Sequence, residues 1–127
     1  MINVACGIIK DGDKVLACQR SHGMHLAGKW EFPGGKVESN ESPSQCVIRE
    51  IEEELGIVIN VVSHLKPIVH HYPDKSIRLI PFVCKIISGQ IILKEHEAFR
   101  WIGKDEILAL DWAAADYKLI VDNGLKP

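Results

Sequence analysis

No apolar run in the sequence approaches the roughly 18 residues a membrane span needs, and Met1-Ile2-Asn3 opens without the basic region and long apolar stretch of a secretory signal. A cytoplasmic protein with no membrane partner is expected. The four cysteines, Cys6, Cys18, Cys46 and Cys84, include no CxxC and no other paired spacing, and three lie inside apolar strand-like runs. They are expected to be buried, reduced thiols. The six histidines form no HExxH and no i,i+4 pair, which argues against a histidine-held zinc. Charge of one sign is also lacking: 15 Lys and Arg stand against 17 Asp and Glu, a net charge of −2. No global field is available to hold polymeric nucleic acid or an anionic membrane, so any polyanion must be bound locally. There is no internal repeat, low-complexity stretch or Pro/Ser-rich linker. With 127 residues, 46% of them hydrophobic and 25% charged, the chain is expected to form one globular domain, residues 1–127.

Hydrophobic patterning and turn chemistry outline the elements. Residues 3–9 and 15–19 read as strands flanking the turn Asp11-Gly12-Asp13. A Gly/His-rich loop over residues 21–29 leads to the short run Trp30-Glu31-Phe32, then to Pro33-Gly34-Gly35, which reads as a turn. The best-marked helix follows, over residues 43–55. Ser42 is its N-cap, Pro43 suits its first position, Gln45 completes a capping box and Gly56 sits at the C′ position. Val47, Ile48, Ile51 and Leu55 give it one buried stripe. Residues 57–62 and 77–87 read as strands, with Tyr72-Pro73-Asp74-Lys75 as a turn, and residues 91–93 and 99–102 as shorter strands. Residues 104–110 and 114–122 read as helices, the second ending at Asn123-Gly124. The pattern is a mixed sheet with helices on its faces, α+β or α/β.

The last two turns of the first helix are chemically odd. Glu50, Glu53 and Glu54 are related by i,i+3 and i,i+4 and share one face. They also lie toward the helix C-terminus, where the dipole favours cations, and Arg49 alone cannot balance them. The missing counter-charge points to a metal. Carboxylate ligands select hard cations, Mg²⁺ or Mn²⁺, which keep open positions for phosphates. Just upstream, Gly34-Gly35 allows close approach of backbone to a ligand, and Arg20, Lys29 and Lys36 can supply positive charge beside it.

Residues 35–57, GKVESNESPSQCVIREIEEELGI, match the Nudix hydrolase box: Gly35, five residues, Glu41, seven residues, Arg49-Glu50, apolar Ile51, one residue, Glu53-Glu54, one residue, Gly56 and apolar Ile57. No position departs. With the WEFPGGK lead-in, the chain resembles the MutT-type nucleoside triphosphate pyrophosphohydrolases over most of its length. The segments from Glu95 to Trp101 and from Leu110 to Asp116 resemble the CTP pyrophosphohydrolase-like branch. The resemblance implies an α/β/α sandwich of α+β class, a mixed curved sheet between helices. It implies that Glu50, Glu53, Glu54, a Gly35 carbonyl and Glu95 hold divalent ions, Mg²⁺ or Mn²⁺. Arg49 would orient the glutamates, Glu41 would support them from behind, and Arg20 and Lys36 would face phosphates. Water activated by the metal would attack a phosphorus of the triphosphate, releasing a nucleoside monophosphate and pyrophosphate. Glu53 is the expected general base, with Glu50 as the runner-up.

The base is read less directly. MutT-type enzymes that take 8-oxoguanine place an asparagine where this chain has Asp116. Ionised aspartate only accepts hydrogen bonds, which suits an exocyclic amine, cytosine N4 or adenine N6, and the resemblance to the CTP-like branch favours cytosine, whereas a protonated Asp116 donates to a purine O6. The competing reading has Asp116 merely capping the last helix. Phe32, Trp30 and Tyr72 are candidates for stacking the base, and Trp101 and Trp112 are assigned to the core. The partner is a small-molecule nucleoside triphosphate, and the chain is a monomer or a homodimer. Rival functions are hydrolysis of a dinucleoside polyphosphate, nucleotide sugar or ADP-ribose, and a non-catalytic nucleotide-sensing domain.

Overall fold

The computed structural model describes residues 1–125. Strand β1 (Ile2–Asp11) turns at Gly12-Asp13 into β2 (Lys14–Gln19), followed by the short strands β3 (Trp30–Glu31) and β4 (Gly34–Lys36). Helix α1 (Pro43–Leu55) precedes β5 (Val58–His64), β6 (Ile68–Tyr72), β7 (Lys75–Ser88) and β8 (Ala98–Ile102), and α2 (Ala114–Asp122) closes the described chain. The sheet runs β3-β2-β1-β7-β5, with β4 on β1, β6 on β7 and β8 on β2. The β1–β7 pair is parallel and the others are antiparallel. This is the mixed sheet flanked by two helices expected of the α+β class.

Strand β1 is buried on both faces, and its period-2 alternation sorts the core. Ala5 and Ile9 point to one side, with Val47, Ile51 and Leu55 of α1. Cys6 and Ile8 point to the other, with Leu119 and Ile120 of α2. Gly7 lies under α1, where a Cβ would strike Ile51 Cδ1 at 2.6 Å. All four cysteines are buried and unpaired as expected. Trp112 is core and Trp101 packs half-buried against the α1 side. No helix among the described residues is long and apolar enough to cross a membrane.

Helix α1 has the expected ends. Ser42 accepts from the Gln45 N–H, the Gln45 side chain accepts from the Ser42 N–H, and Gly56 takes φ +69°. Its buried stripe includes Cys46 in place of Ile48, which is half-buried, and it also includes Glu54.

Three expectations are corrected. Pro33-Gly34-Gly35 is no turn, because Gly34 and Gly35 pair with Cys6 and Ala5 as a strand. The Pro33 carbonyl accepts from the Gly7 N–H, and a Cβ at Gly34 would run into the Ala5 carbonyl. Residues 91–93 form no strand: the Ile92 and Lys94 N–H groups donate to the free carbonyls of Leu55 and Glu54 at the end of α1. Residues 104–110 form successive turns rather than a helix, closed by Glu106 N–H to Gly103 and Ala109 N–H to Glu106. The Ile107 carbonyl is taken by the Trp112 indole N–H and the Gly103 N–H by the Glu106 carboxylate. Strand β6, unread in the sequence, pairs Ile68–Tyr72 with the start of β7 and tightens the expected turn to Pro73-Asp74.

The Gly34 contact yields a prediction. The obstructing atoms are backbone, so Gly34→Ala is expected to lower Tm by on the order of 10 °C, measurable by thermal unfolding. A shift under about 2 °C would show that β4 has room to move.

Candidate active site

The segment from Glu31 to Lys36 runs between the two helices, each of which grips it with a carboxylate. From α2, Asp116 Oδ2 accepts the Phe32 N–H at 2.9 Å; from α1, Glu54 Oε1 accepts the Gly34 N–H at 3.2 Å. A cavity of about 280 Å³ opens beside this segment. It is lined by Glu50, Glu54, Glu95, Gly35 and Lys36, and also by Arg20, Phe32, Tyr72 and Asp116. Nine of the residues picked from the sequence therefore meet at one cavity.

Others do not line it. Glu53 turns outward with 58% of its side chain exposed, and Lys29 is paired with Asp111 at 2.8 Å. Trp30 packs against the α2-side core. Phe32 is itself buried against Trp112, ring centroids 4.8 Å apart, so only part of it reaches the cavity. Tyr72 accepts the Ala115 N–H at 3.1 Å and has His70 edge-on, 4.5 Å away, which fixes its ring at the cavity wall.

Arg49 organises the carboxylates. It holds Glu41 in a two-pronged contact, Nε to Oε2 at 2.9 Å and Nη2 to Oε1 at 2.7 Å. Its Nη1 reaches Glu50 at 2.8 Å and Glu53 at 3.2 Å. The Arg49 bond, then the Glu38 N–H, holds Glu41 down to about 2, while burial raises Glu50 above the usual carboxylate range. Glu54 is the extreme case. Burial first, then the charges of Glu31, Glu50 and Glu95, push it up to about 9. A cation placed here would reverse that shift.

Gly35 supplies the room. A Cβ there would fill the space taken by the Glu50 carboxylate, so the bare backbone lets that carboxylate lie against it. The donors gathered at this end are the carboxylates of Glu50, Glu54 and Glu95, the kind that hard divalent cations take, while the Gly35 carbonyl accepts from the Cys46 thiol at 3.5 Å. Among the described residues, no three His, Cys, Asp or Glu side chains already converge as a closed metal site. The residues fit the cation in chemistry, with side-chain closure left to binding.

Asp116 is the third residue of α2, not its N-cap, so the helix-capping reading gives way to its bond with Phe32. Burial, then the Glu31 charge, raises its carboxyl well above the usual range. Several residues of this site went unread in the sequence, Glu31 and Leu26 among them. Glu31 lines the cavity and binds Arg20 Nη1 at 2.6 Å and His96 Nε2 at 2.8 Å. A charged residue between Trp30 and Phe32 was the available signal. The wall residue Leu26 has φ +59°, a left-handed conformation unusual for leucine, in the loop carrying Met24 and His25.

The NUDIX domain model matches residues 1–122. The chain belongs to the Nudix family. It is 36% identical over 120 residues to the CTP pyrophosphohydrolase of Escherichia coli K12, covering 94% of this chain and 89% of that one. It is 32% identical over 120 residues to the 8-oxo-dGTP diphosphatase of the same organism, covering 94% and 93%. The crystal structure of a MutT Nudix hydrolase from Burkholderia pseudomallei superposes with TM-score 0.85 at 26% identity, covering 94% of this chain and 95% of that one. The chain is thus a Nudix hydrolase, a pyrophosphohydrolase acting on the phosphoanhydride of a small-molecule nucleotide, and Nudix hydrolases generally use a divalent metal.

Proposed function

We propose that this Nudix hydrolase is a Mg²⁺-dependent nucleoside triphosphate pyrophosphohydrolase, converting a (d)NTP to the (d)NMP and pyrophosphate with cytosine nucleotides preferred. The observation that carries this reading is the one cavity lined both by Glu50, Glu54, Glu95 and Gly35 and by Asp116. Glu50, Glu53, Glu54, Glu95 and the Gly35 carbonyl would hold Mg²⁺, or Mn²⁺ in its place. When bound, the ion neutralises phosphate oxygens and lowers the pKa of the attacking water. Arg49, itself tied by Glu41, orients Glu50 and Glu53. Arg20 and Lys36 meet the phosphates at the cavity. Glu53 would take the proton of the attacking water, its exposed side chain being free to turn toward the cavity, with Glu50, which lines the cavity, as the runner-up.

At the other part of the cavity the Asp116 carboxyl, steadied by the Phe32 N–H, accepts the cytosine N4 amine, with Tyr72 and the exposed part of Phe32 as apolar walls. A second reading, 8-oxo-dGTP hydrolysis in nucleotide-pool sanitation, has its own support. Burial raises the Asp116 carboxyl well above its usual range, which favours the protonated form, and a protonated carboxyl donates to a purine O6. Pyrophosphate release at low micromolar substrate across CTP, dCTP, 5-methyl-dCTP, 8-oxo-dGTP, 2-hydroxy-dATP, normal dNTPs and ADP-ribose separates the two. A cytosine nucleotide is expected to exceed the other bases about tenfold in kcat/KM. An equal or larger advantage for 8-oxo-dGTP would transfer the assignment to the second reading.

A further inference from the structure

Glu95 is the cavity carboxylate that no helix or strand places. Between the end of β7 at Ser88 and the start of β8 at Ala98 the chain is irregular, and such a segment presents a side chain accurately only where it is tied down. Its first part is fastened to α1 through Ile92 and Lys94. Its last part is fastened to the end of β2, where the Ser21 hydroxyl donates to the Glu95 carbonyl at 2.5 Å and the Glu97 N–H donates to the Gln19 carbonyl at 2.9 Å.

Between those ties sits a buried histidine. Glu95 and Glu97 are exposed, while the His96 side chain is 0% exposed. Its Nε2 lies 2.8 Å from Glu31 Oε2, and its buried Nδ1 has no partner among the described residues. A buried N–H without an acceptor is costlier than a lone pair without a donor, so the proton sits on Nε2 and is donated to Glu31. The other Glu31 oxygen accepts from Arg20 Nη1 at 2.6 Å. One carboxylate thus holds the residue beside Glu95 with one oxygen and Arg20 with the other.

We propose that Glu31 and His96 are positioning residues: their hydrogen bond seats Glu95 at the cation end of the cavity, and the same carboxylate fixes Arg20 for the phosphates. This inference rests on the reading of Glu95 as a metal ligand. A merely structural histidine would alter thermal stability and leave cation affinity where it was.

Mn²⁺ binding to the full chain without nucleotide, followed by the electron paramagnetic resonance of free Mn²⁺, tests the proposal alongside kinetics. His96→Leu is expected to weaken Mn²⁺ binding, and to raise the Mg²⁺ needed for half-maximal turnover, about tenfold, with the nucleotide KM changing by less than about twofold. His96→Gln keeps a donor toward Glu31 and is expected to return both to within about twofold of wild type. Glu31→Gln is expected to weaken Mn²⁺ binding likewise and, by freeing Arg20, to raise KM about fivefold as well. Glu95→Gln separates the two readings. If it binds Mn²⁺ as wild type does, the metal role of Glu95 fails; if it binds weakly while His96→Leu binds normally, the positioning role alone fails. Should His96→Leu not fold, His96→Asn, whose shorter amide falls short of Glu31, must bind Mn²⁺ more weakly than His96→Gln, and equal binding overturns the proposal.

Discussion

Glu53→Gln is expected to leave a folded protein that binds nucleotide but turns it over at under about one per cent of the wild-type rate, the scale of loss when a general base is removed. The three helix glutamates stand in different surroundings although their spacing puts them close together. Glu54 is 5% exposed, bonded to the Gly34 N–H and pushed up to about 9, so without a cation it holds its proton at neutral pH. Glu50 lies against Gly35 and is bonded to Arg49 at 2.8 Å. Glu53 is 58% exposed and has its Arg49 contact at 3.2 Å, which leaves it the freest of the three to meet water. Glutamine preserves its shape and an oxygen for Arg49, so Tm should stay within about 2 °C of wild type. Single-turnover kinetics with saturating Mg²⁺, together with nucleotide binding, measure the separation of chemistry from affinity. Turnover above about one per cent would reject Glu53 as the base, and a deeper loss in Glu50→Gln would move the role there.

What could be read in the sequence was what local chemistry decides. Helix α1 was legible because its cap, first proline, apolar stripe and terminal glycine all lie within residues 42–56 and act on neighbours in the chain. Residues 91–93 form no strand because their backbone groups are claimed from afar, by the carbonyls ending α1, whereas residues 104–110 form no helix because i,i+3 turn bonds, the Glu106 carboxylate and the Trp112 indole take the groups a helix would use. Gly34 and Gly35 carry the signature of a turn, yet they are glycine because the Ala5 carbonyl and the Glu50 carboxylate press on them. The site shows the same division. The glutamates of α1 were found from an unbalanced charge pattern, but spacing could not show that Glu54 is buried while Glu53 faces water. Glu31 and His96 stayed hidden because each looks like an ordinary polar residue until the fold brings residues 65 apart within 2.8 Å.

Asp116→Asn is expected to invert the choice of base. The asparagine oxygen can keep the Phe32 N–H, which turns an amide NH₂ toward the cavity where the wild type presents a carboxyl oxygen. A cytosine N4 amine then meets a donor instead of an acceptor, a mismatch of about 1–3 kcal/mol, so kcat/KM for dCTP should fall on the order of tenfold or more. The same NH₂ suits a purine O6, and the ratio of 8-oxo-dGTP to dCTP should rise about a hundredfold. An unchanged ratio would remove Asp116 from base recognition. Stability gives an independent reading of the same carboxyl. Its pKa is raised in the folded protein by burial and the Glu31 charge, so its contribution is fully present below the unfolded-state value and is lost as pH rises toward the folded one. In that window the unfolded chain ionises while the folded chain keeps its proton, and stability falls by up to about 1.4 kcal/mol per pH unit. Asparagine has no proton to lose. The variant should therefore gain on wild type in Tm as the pH rises above about 4, whereas parallel curves would mean that the fold does not raise the Asp116 carboxyl.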